Sequence, residues 1–430
     1  MPRFSSLDDW LAWLETLHPK KIDFSLNRIR AVLDALGLRT PPYRVITVGG
    51  TNGKGSCVAF LESIYRQAGY SVGAFTSPHL WRFNERLRLN GVDIDDATLM
   101  DLFERMDRAR GSVTLSYFEA SAVAAMLYFA RAEVDVAILE VGMGGRLDAV
   151  NVYDADAALI VSIDLDHEDW LGKDRDSIGR EKAGILRRGR PAVIADFDPP
   201  ASVLAAIEAT GADARLIGRD FSVEAGGQGL VYRAAGAAPE TFGKPSFGTG
   251  VQLQNAAACV AVVDSLQSSL PVDRKAVSAG LAGARVAGRM QRIVLDDVEW
   301  IFDVAHNPAA AARLQQVLEG LERATNTFAV FGAMLDKDLA GVLVHFRATV
   351  DRWFIAVLDS ERSATTEVLA AVLARQGAQF VETAPDIAAA AQAARDSAHP
   401  GDRVIVFGSF YTVGPAMAAL GLYSPALSKG

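Results

Sequence analysis

Cysteine and an excess of positive charge are both lacking in this 430-residue sequence. Two cysteines, Cys57 and Cys259, are too few for a disulfide framework and cannot by themselves make a zinc site. The chain has 43 Lys and Arg against 52 Asp and Glu, a formal net charge of −9. This balance argues against bulk binding to nucleic acid or to an anionic membrane, because both need a basic surface. A local basic pocket for a small anion is still compatible with it.

Long apolar runs are missing as well. Runs such as Ala256–Val263 fall far short of the roughly 18–20 residues that a membrane span needs. The N-terminal segment carries Asp8, Asp9 and Glu15 and lacks the apolar stretch of a signal peptide. No exposed apolar helix stands out in the pattern. We therefore expect a cytoplasmic monomer whose partners are small molecules, with neither nucleic acid nor membrane among them.

What the sequence does contain is an alternation of short β-branched runs with Ala- and Leu-rich helical stretches. Half of the residues are apolar, and the length predicts two or three domains. The alternation predicts an α/β fold, with a mainly parallel sheet covered by helices on both faces. Strands are predicted at Tyr43–Val48, Ser71–Thr76, Val134–Val141, Ala157–Ile163, Pro191–Ala195, Trp300–Val304, Phe328–Phe331, Trp353–Val357 and Val404–Phe407. Helices are predicted at 56–68, 97–109, 118–131, 200–210, 254–266, 309–321, 366–375 and 387–396.

A change of composition divides the chain. Residues 225–250 are rich in Gly, Ala and Pro, which predicts hairpins and loops. The segment Ala279–Gly288 holds three glycines in ten residues and is predicted to be an inter-domain linker. We therefore expect one domain over residues 1–284 and a smaller Rossmann-like α/β domain over 285–430.

The strongest local signal is the stretch VGGTNGKGS, from Val48 to Ser56, which joins a predicted strand to a predicted helix. Backbone N–H groups and a helix N-terminus hold phosphates in this context, and Lys54 is placed to contact the β- and γ-phosphates. The match to the general phosphate loop is imperfect, because Val48 and Gly55 stand where that pattern has glycine and Ser or Thr. The alternative is a glycine turn with a chance lysine.

Nucleotides bind to proteins as complexes with Mg²⁺, which prefers hard oxygen ligands. Ser77, Glu140 and His167 each follow or end a predicted strand, where open α/β sheets place their sites. Alternatives for these residues are a turn hydroxyl, a paired core carboxylate and a polar loop histidine. Imidazole is moreover an unusual Mg²⁺ ligand, because it suits softer metals.

Several of these segments belong to one set of motifs. GTNGKGS, TSPHL, LEVGMGGRLDAVN, SIDLDHEDWLG, REKAGI, DVAHNP and GSFYTVG occur here in this order. With them, the sequence closely resembles the bacterial bifunctional dihydrofolate synthase/folylpolyglutamate synthases of the Mur-ligase superfamily, over nearly the whole chain. The segments HPKKIDFSL and LSYFEA resemble those with which bifunctional members bind dihydropteroate, a less specific likeness. The resemblance implies a P-loop Mur-ligase-like domain followed by a C-terminal glutamate-ligase domain.

The resemblance also implies a reaction, ATP-dependent amide formation. ATP phosphorylates a substrate carboxylate, and the amine of L-glutamate attacks the acyl phosphate to release phosphate. The acids would be 7,8-dihydropteroate and the γ-carboxylate of reduced folates, and one or two Mg²⁺ ions would assist.

Site residues follow from the same resemblance, position by position. The ATP contacts would come from Thr51, Asn52, Gly53, Lys54, Gly55, Ser56 and Asn255, with Arg289 and Asp303 contributing from the second domain. Ser77, Glu140 and His167 would hold Mg²⁺, and Lys182 would act in catalysis as a carbamate, an anion able to bind the metal. The dihydropteroate site would comprise Lys21, Ile22, Asp23, Phe24, Tyr117, Phe118, Glu119, Arg146, Leu147 and Asp148. His306, as a catalytic residue, and Asn307 would lie where glutamate or the acyl phosphate is held.

Plain structural roles compete with several of these assignments. Lys182 as a surface lysine paired with Glu181, Asn255 as a helix N-cap and Phe118 as a core residue are the simplest alternatives.

Three other functions are alternatives to this one. A folylpolyglutamate synthase without the dihydropteroate activity is disfavoured by HPKKIDFSL and LSYFEA. A peptidoglycan precursor ligase would need a UDP-sugar domain, for which the 42 residues before Tyr43 leave no room. A P-loop nucleotide switch would not need the second domain with DVAHNP. It would also hydrolyse nucleotide without folate or glutamate.

Overall fold

The computed structural model describes residues 3–20, 23–227, 229–246 and 250–422. They form two compact units, which divide the chain into Met1–His79 with Phe83–Arg285 and Leu80–Arg82 with Val286–Gly430.

The first unit is built on a sheet of eight described strands. They are β1 (Arg44–Gly49), β2 (Val72–Phe75), β3 (Leu87–Leu89), β4 (Val92–Asp93), β5 (Val136–Glu140), β6 (Ala157–Ile160), β7 (Pro191–Ile194) and β8 (Asp213–Leu216), in the order β4-β3-β2-β5-β1-β6-β7-β8. All are parallel except the β3–β4 hairpin at one edge. The predicted α/β class with a mainly parallel sheet is confirmed.

Helices cover both faces of this sheet. They are α1 (Leu7–Thr16), α2 (Asn27–Ala35), α3 (Lys54–Gln67), α4 (Asp96–Arg110), α5 (Tyr117–Arg131), α6 (Glu168–Leu171), α7 (Arg175–Ala183), α8 (Ala201–Thr210), α9 (Val251–Ser265) and α10 (Arg274–Gly283), with 3-10 turns at Phe83–Arg86 and Ala149–Val152. Successive strand residues point to opposite faces, so Val45 joins the core under α4 and α5 whereas Ile46 joins the core under α3 and α9. Both faces are therefore apolar, which explains the continuous hydrophobic runs of β1 and β5.

A small antiparallel sheet follows in the chain, with β9 (Phe221–Gly226), β10 (Gly229–Ala234) and β11 (Glu240–Gly243). It agrees with the hairpins predicted near residues 225–250. The linker predicted at Ala279–Gly288 is wrong in its first half, since residues 279–283 end α10. Gly280 is not a flexible joint, because a Cβ there would stand 2.4 Å from Ile64 Cα. The glycine lets α10 pack closely on α3.

The second unit has a six-stranded sheet among its described residues. Its strands are β12 (Gln291–Leu295), β13 (Val298–Asp303), β14 (Thr327–Phe331), β15 (Arg352–Ala356), β16 (Val381–Ala384) and β17 (Arg403–Phe407), in the order β12-β13-β17-β14-β15-β16, with β12 alone antiparallel. The helices are α11 (Pro308–Glu319), α12 (Leu339–Leu343), α13 (Thr366–Arg375), α14 (Ile387–Ser397) and α15 (Phe410–Ala419), with a 3-10 turn at Val344–Phe346. Across the described parts of both units, no helix has the length and apolarity needed to cross a membrane.

Candidate active site

The candidate site lies at the carboxyl edge of the first sheet. Strands β2, β5, β1 and β6 are neighbours and run parallel, so their carboxyl ends meet at one edge. Ser77 follows β2, Glu140 ends β5, the glycine-rich loop follows β1, and residues 162–167 follow β6. Side chains separated by more than a hundred residues in sequence thus reach a common edge.

The glycine-rich loop turns tightly into α3. Gly53 has a φ of 90° and immediately precedes the helix, and a Cβ there would stand 2.9 Å from both Val161 Cγ1 and Asn255 Nδ2. Only glycine fits this left-handed, closely packed position. Lys54 begins α3, and its Nζ donates to the carbonyls of Gly50 at 3.0 Å and Thr51 at 3.2 Å. The loop thus presents the N-terminus of a fourteen-residue helix together with a lysine, the arrangement that binds phosphate.

Two residues that the sequence analysis missed hold this loop in place. Ser162 Oγ accepts from the Asn52 N–H at 3.0 Å and donates to the Asn52 carbonyl at 3.1 Å. The Thr51 hydroxyl donates to the Asp164 carbonyl at 3.1 Å and accepts from the Asp164 N–H at 3.0 Å. The available signal was the polar stretch SIDLD directly after an apolar strand, which marks a strand end near a site.

A buried, unsatisfied hydroxyl lies in the first turn of α3, where the glycine-rich loop ends. Ser56 is 1% exposed, and its Oγ has no hydrogen-bond partner among the described residues. Buried hydroxyls are rarely left in this state unless a ligand, ion or water completes them. Glu140 is 4% exposed, and its Oε2 accepts from the Ser77 N–H at 3.2 Å. A Cβ on Gly55 would stand 3.8 Å from the same oxygen, so the structure brings Glu140, Ser77 and the glycine-rich loop together.

The donor set at this edge fits Mg²⁺. A carboxylate and a hydroxyl are hard oxygen ligands, and Mg²⁺ commonly binds one or two carboxylates while keeping several waters. His167 lies on the neighbouring β6 loop at a left-handed position with a φ of 53°, and its Nε2 is 3.9 Å from Asp166 Oδ2. Within the described ranges, no three His, Cys, Asp or Glu side chains converge on a metal-sized site. The fit of this site to Mg²⁺ therefore depends on the side-chain oxygens of Ser77 and Glu140.

Lys182 is buried, so the alternative that it is a surface lysine paired with Glu181 is wrong. It is 4% exposed on α7, and burial lowers the pKa of its ammonium to about 7, with a further contribution from the charge of Lys54. Asp166, Asp148 and Asp164 act in the opposite direction. Glu181 instead pairs with Arg146, whose Nη2 lies 3.0 Å from Glu181 Oε1.

Asp148 organises the loop that follows β5. Its Oδ2 accepts from the Met143 N–H at 2.9 Å and its Oδ1 from the Val150 N–H at 3.1 Å. Burial raises the pKa of this carboxyl to about 7, although these backbone hydrogen bonds and the charge of Lys54 oppose the shift. Gly145 in the same loop lies against α7, since a Cβ there would stand 3.0 Å from the Lys182 carbonyl oxygen. The loop after β5 therefore packs directly against the part of α7 that carries Lys182.

Several residues predicted for the dihydropteroate site form a polar cluster around Arg28. Its Nη1 lies 3.2 Å from Asp23 Oδ2, and its Nη2 lies 3.1 Å from Glu119 Oε1. The Glu119 carboxylate also accepts from the Ser116 N–H at 2.8 Å in the capping box of α5. Hydrogen bonding to His18 first, and then the charges of Arg28 and Lys20, lower the pKa of the Asp23 carboxyl. Lys21 and Ile22 lie outside the described residues.

Aromatic rings border the same region. Phe24 lies 5.8 Å from Trp170 in an edge contact, and Tyr117 lies 5.7 Å from Phe83. Phe118 is partly buried and packs over Gly142, where a Cβ would stand 2.6 Å from its Cζ. Trp170, which makes this contact with Phe24, is half-exposed. Leu147 is partly buried in the loop that Asp148 organises.

Asn255 does not cap a helix, so that alternative is wrong. Gly250 is the N-cap of α9, and Asn255 lies inside the helix, 2% exposed. Its Nδ2 donates to Gln252 Oε1 at 3.0 Å, and the side chain borders Gly53 of the phosphate loop. A buried amide therefore lies directly against the glycine-rich loop.

The second unit has a polar cluster of its own where β13 and β17 end side by side. Asp303 Oδ2 accepts from the Met290 N–H and Oδ1 from the Ala305 N–H, both at 2.9 Å. Burial raises the pKa of this carboxyl, although the positive charge of Arg289 and weaker contributions lower it. The Arg289 guanidinium lies 5.1 Å from the centre of the Phe410 ring.

The fourth and fifth residues of DVAHNP lie close by. His306 Nδ1 is 3.2 Å from the Val304 carbonyl oxygen. Asn307 is buried and caps α11, with its Oδ1 accepting from the Ala310 N–H at 2.9 Å. The structure thus assembles Arg289, Asp303, His306 and Asn307 at one end of the second sheet.

Comparison with protein families gives two matches along the chain. Residues 48–225 match the family model described as "Mur ligase middle domain". Residues 288–410 match the model described as "Mur ligase, glutamate ligase domain". The first match contains the glycine-rich loop and Glu140, and the second contains the Arg289 and Asp303 cluster.

Individual proteins extend the likeness over nearly the whole chain. Dihydrofolate synthase/folylpolyglutamate synthase of Escherichia coli K12 is 40% identical over 416 residues, which cover 97% of this chain and 96% of that protein. The structure titled "E.coli FolC in complex with DHPP and ADP" has a TM-score of 0.91 and 40% identity, covering 97% of this chain and 98% of that one. The Yersinia pestis bifunctional folylpolyglutamate synthase/dihydrofolate synthase, complexed with AMPPNP and Mn, has a TM-score of 0.90 and 39% identity, covering 97% and 98%.

Proposed function

Because this chain belongs to the dihydrofolate synthase/folylpolyglutamate synthase family of Mur ligases, we propose that it carries out both ligations of that family. It joins L-glutamate to 7,8-dihydropteroate and to the γ-carboxylate of reduced folates, at the expense of ATP. The observation that carries the proposal is 40% identity to the E. coli enzyme over 97% of this chain.

The chemistry requires an activated carboxylate, because a free carboxylate is a poor electrophile. The substrate carboxylate attacks the γ-phosphorus of ATP, and the bond to the bridging oxygen breaks to release ADP. The glutamate amine then attacks the acyl carbon, phosphate leaves, and the amine loses a proton. The site must hold three anionic groups together and keep water from the acyl phosphate.

The phosphate loop supplies the positive potential for this reaction. We assign Thr51–Ser56 to the ATP phosphates, through the backbone N–H groups at the start of α3 and the Ser56 hydroxyl. Lys54 offsets charge on the phosphoryl group as it moves, which is an electrostatic role for a fixed cation. Asn255, buried under Gly53, supports the loop and completes the nucleotide contacts of this unit.

Ser77 and Glu140 are the residues that we assign to Mg²⁺, with His167 as a third candidate. When bound, the ion neutralises charge on the phosphates and orients them. The Ser77 N–H holds the Glu140 carboxylate at 3.2 Å, which orients that carboxylate before any ligand arrives.

Lys182 is assigned as a carbamate. Its amine is buried and its pKa is lowered to about 7, so a large neutral fraction is available to react with CO₂. The amine nitrogen bonds to the carbon of CO₂ and loses a proton, which yields an anion with two hard oxygens. That anion would offset the positive charge of Lys54 and bind Mg²⁺.

The remaining site residues fall into two groups. We assign Lys21–Phe24, Tyr117–Glu119 and Arg146–Asp148 to the pteroate site, where Phe24 and Phe118 offer ring faces and edges to a pterin. Arg289 and Asp303 are assigned to ATP and His306 to the reacting acyl phosphate or glutamate, with Asn307 as a neighbour. The corresponding domains are 1–284 and 285–430. We further propose a monomer that works in the cytoplasm, where its co-substrate ATP is available.

Product analysis tests the proposal directly. The purified protein is incubated with 7,8-dihydropteroate, L-glutamate and Mg-ATP, and in parallel with tetrahydrofolate, and the products are separated by chromatography. Dihydrofolate and extended folate, each with one ADP per bond, are the expected result. Extension of tetrahydrofolate without conversion of dihydropteroate would mean a folylpolyglutamate synthase only. ATP hydrolysis that needs neither acid nor glutamate would indicate a nucleotide switch.

A further inference from the structure

Arg88 stands out among the residues that no role above uses. It lies on β3 opposite Ala74 of β2, the strand that leads into Ser77. Its Nε donates to Glu62 Oε2 at 3.0 Å, and its Nη1 donates to Thr76 Oγ1 and to the Glu85 carbonyl, each at 3.2 Å. One guanidinium thus joins the phosphate-loop helix α3 to the turn that follows β2.

The Arg88–Glu62 pair is well satisfied and poorly exposed. Glu62 is 5% exposed, and its other oxygen accepts from the Gly91 N–H at 2.9 Å. Burial lowers the pKa of the Arg88 guanidinium, but the negative charges of Glu62, Asp93 and Glu140 outweigh it and raise that pKa. A buried ion pair is seldom the most stable way to fill such a space. Stability alone therefore does not explain why the Arg88 guanidinium is held in this particular geometry.

The geometry continues from Arg88 to the candidate metal ligands. Thr76, which accepts from Arg88, is the residue before Ser77, and the Ser77 N–H donates to Glu140 Oε2. At the other end, Glu62 lies on α3, which begins with Lys54. The Arg88 guanidinium therefore links α3, the helix that begins at the glycine-rich loop, to the residue before Ser77.

We propose that Arg88 is a positioning residue for the metal–nucleotide complex, acting through Thr76 to hold the Ser77 turn against Glu140 at a set distance from α3. This inference rests on the proposed function in one respect, the assignment of Ser77 and Glu140 to the metal. A lysine at position 88 would keep the positive charge, but its single ammonium cannot reproduce the fork that reaches Glu62 and Thr76 together.

Three variants test this by direct binding of Mn²⁺, measured by electron paramagnetic resonance in the presence of ADP. Arg88→Lys should weaken Mn²⁺ binding by about tenfold. Thr76→Val removes the hydroxyl that accepts from Arg88 and donates to the Glu85 carbonyl at 3.3 Å, and it should weaken binding by about threefold. The double variant should bind about as weakly as Arg88→Lys by itself, because both changes break the same contact. Arg105→Lys on α4, in an exposed ion pair with Asp101, is the matched control and should bind like the wild type.

The outcomes separate positioning from other roles. If the double variant weakens Mn²⁺ binding by the product of the two single effects, the inference is overturned, because Arg88 would then not act through Thr76. Unchanged Mn²⁺ binding in Thr76→Val would also overturn it, and this variant is informative even if Arg88→Lys does not fold. A purely structural role predicts a lowered unfolding midpoint with wild-type metal affinity in the folded fraction. Failure of the proposed function is detected separately, as absence of product from the wild type.

Discussion

We predict that Lys182 is carbamylated, and the structure gives the size of the pKa shift that favours this reaction. The perturbation is a supply of ¹³C-labelled CO₂ to the purified protein. The reaction consumes a neutral amine, so its extent depends on the pKa of each lysine. Burial, with help from the charge of Lys54, lowers the pKa of Lys182 from 10.5 to about 7.

The size of the effect follows from these two values. At pH 7 a lysine of pKa 10.5 is neutral in about one molecule in 3,000, whereas one of pKa 7 is neutral in about half of them. The neutral amine of Lys182 is therefore enriched about a thousandfold over that of an exposed lysine. We expect one site of high occupancy, at a CO₂ concentration that leaves exposed lysines essentially unmodified.

Carbon-13 NMR provides the assay, because a carbamate carbonyl resonates separately from bicarbonate. One protein-bound signal should grow as the pH rises through about 7, since the amine must first lose its proton. It should be absent from Lys182→Met and unchanged in Lys275→Met, which alters an exposed lysine on α10. Lys182→Ala should lose most ligation activity, and a short carboxylic acid added to the buffer should restore part of it.

Three results would contradict this reasoning. One is full ligation activity in the wild type at saturating labelled CO₂ with no protein-bound carbamate signal. Another is a signal that persists in Lys182→Met, which would place the modification on another amine. A signal that rises only near pH 10 would show that the lysine is not desolvated as the structure has it.

Three further results are expected. Lys54→Ala should lower the turnover of ligation by about 10²–10³-fold, because it removes one electrostatic contact to the moving phosphoryl group; Lys275→Ala is the control, and more than about a tenth of wild-type turnover would contradict the assignment. Glu140→Ala should abolish dihydropteroate conversion and tetrahydrofolate extension together, as product chromatography would show, and loss of only one activity would mean separate sites. In CO₂-free buffer, Lys182→Met should be more stable to urea than the wild type by about 3–5 kcal/mol below pH 7. The folded pKa of Lys182 lies below its unfolded value of 10.5, so the wild type gains stability as the pH rises from about 7 to 10.5. The difference in unfolding free energy between Lys182→Met and the wild type should therefore shrink to zero over this range. A difference that does not change with pH would exclude the buried lysine charge as its cause.

The central strands were predictable because they are buried on both faces. β1 and β5 read as continuous apolar runs, and the structure places them within two residues of the predicted bounds. The edge strands β12 and β16 were missed, since they alternate or leave half their side chains exposed and so lack an apolar run. Helix α7 was missed for a related reason, because most of its residues are polar. Burial of an element, more than its propensity, decided what could be read from the sequence.

The glycines show where local patterns misled. Three glycines in Ala279–Gly288 indicated a flexible linker, but Gly280 is the point at which α10 meets Ile64 of α3. Gly53 was predicted to lie in a turn between a strand and a helix, and the structure places it between β1 and α3. A glycine that permits close packing and one that permits bending look identical in a sequence.

By itself, the sequence determined the family, the reaction class, the position of the glycine-rich loop and the order of the candidate ligands, since these follow from contiguous residues. Only the tertiary structure decided the environment of those residues. Lys182 acquires its lowered pKa from burial and from Lys54, far away in the chain. Arg88 acquires its hydrogen-bond partners, on which its proposed role depends, from Glu62 and Thr76 on other segments. Solvation and electrostatic interactions act through space, so they depend on which segments the fold brings together, and no local pattern records that.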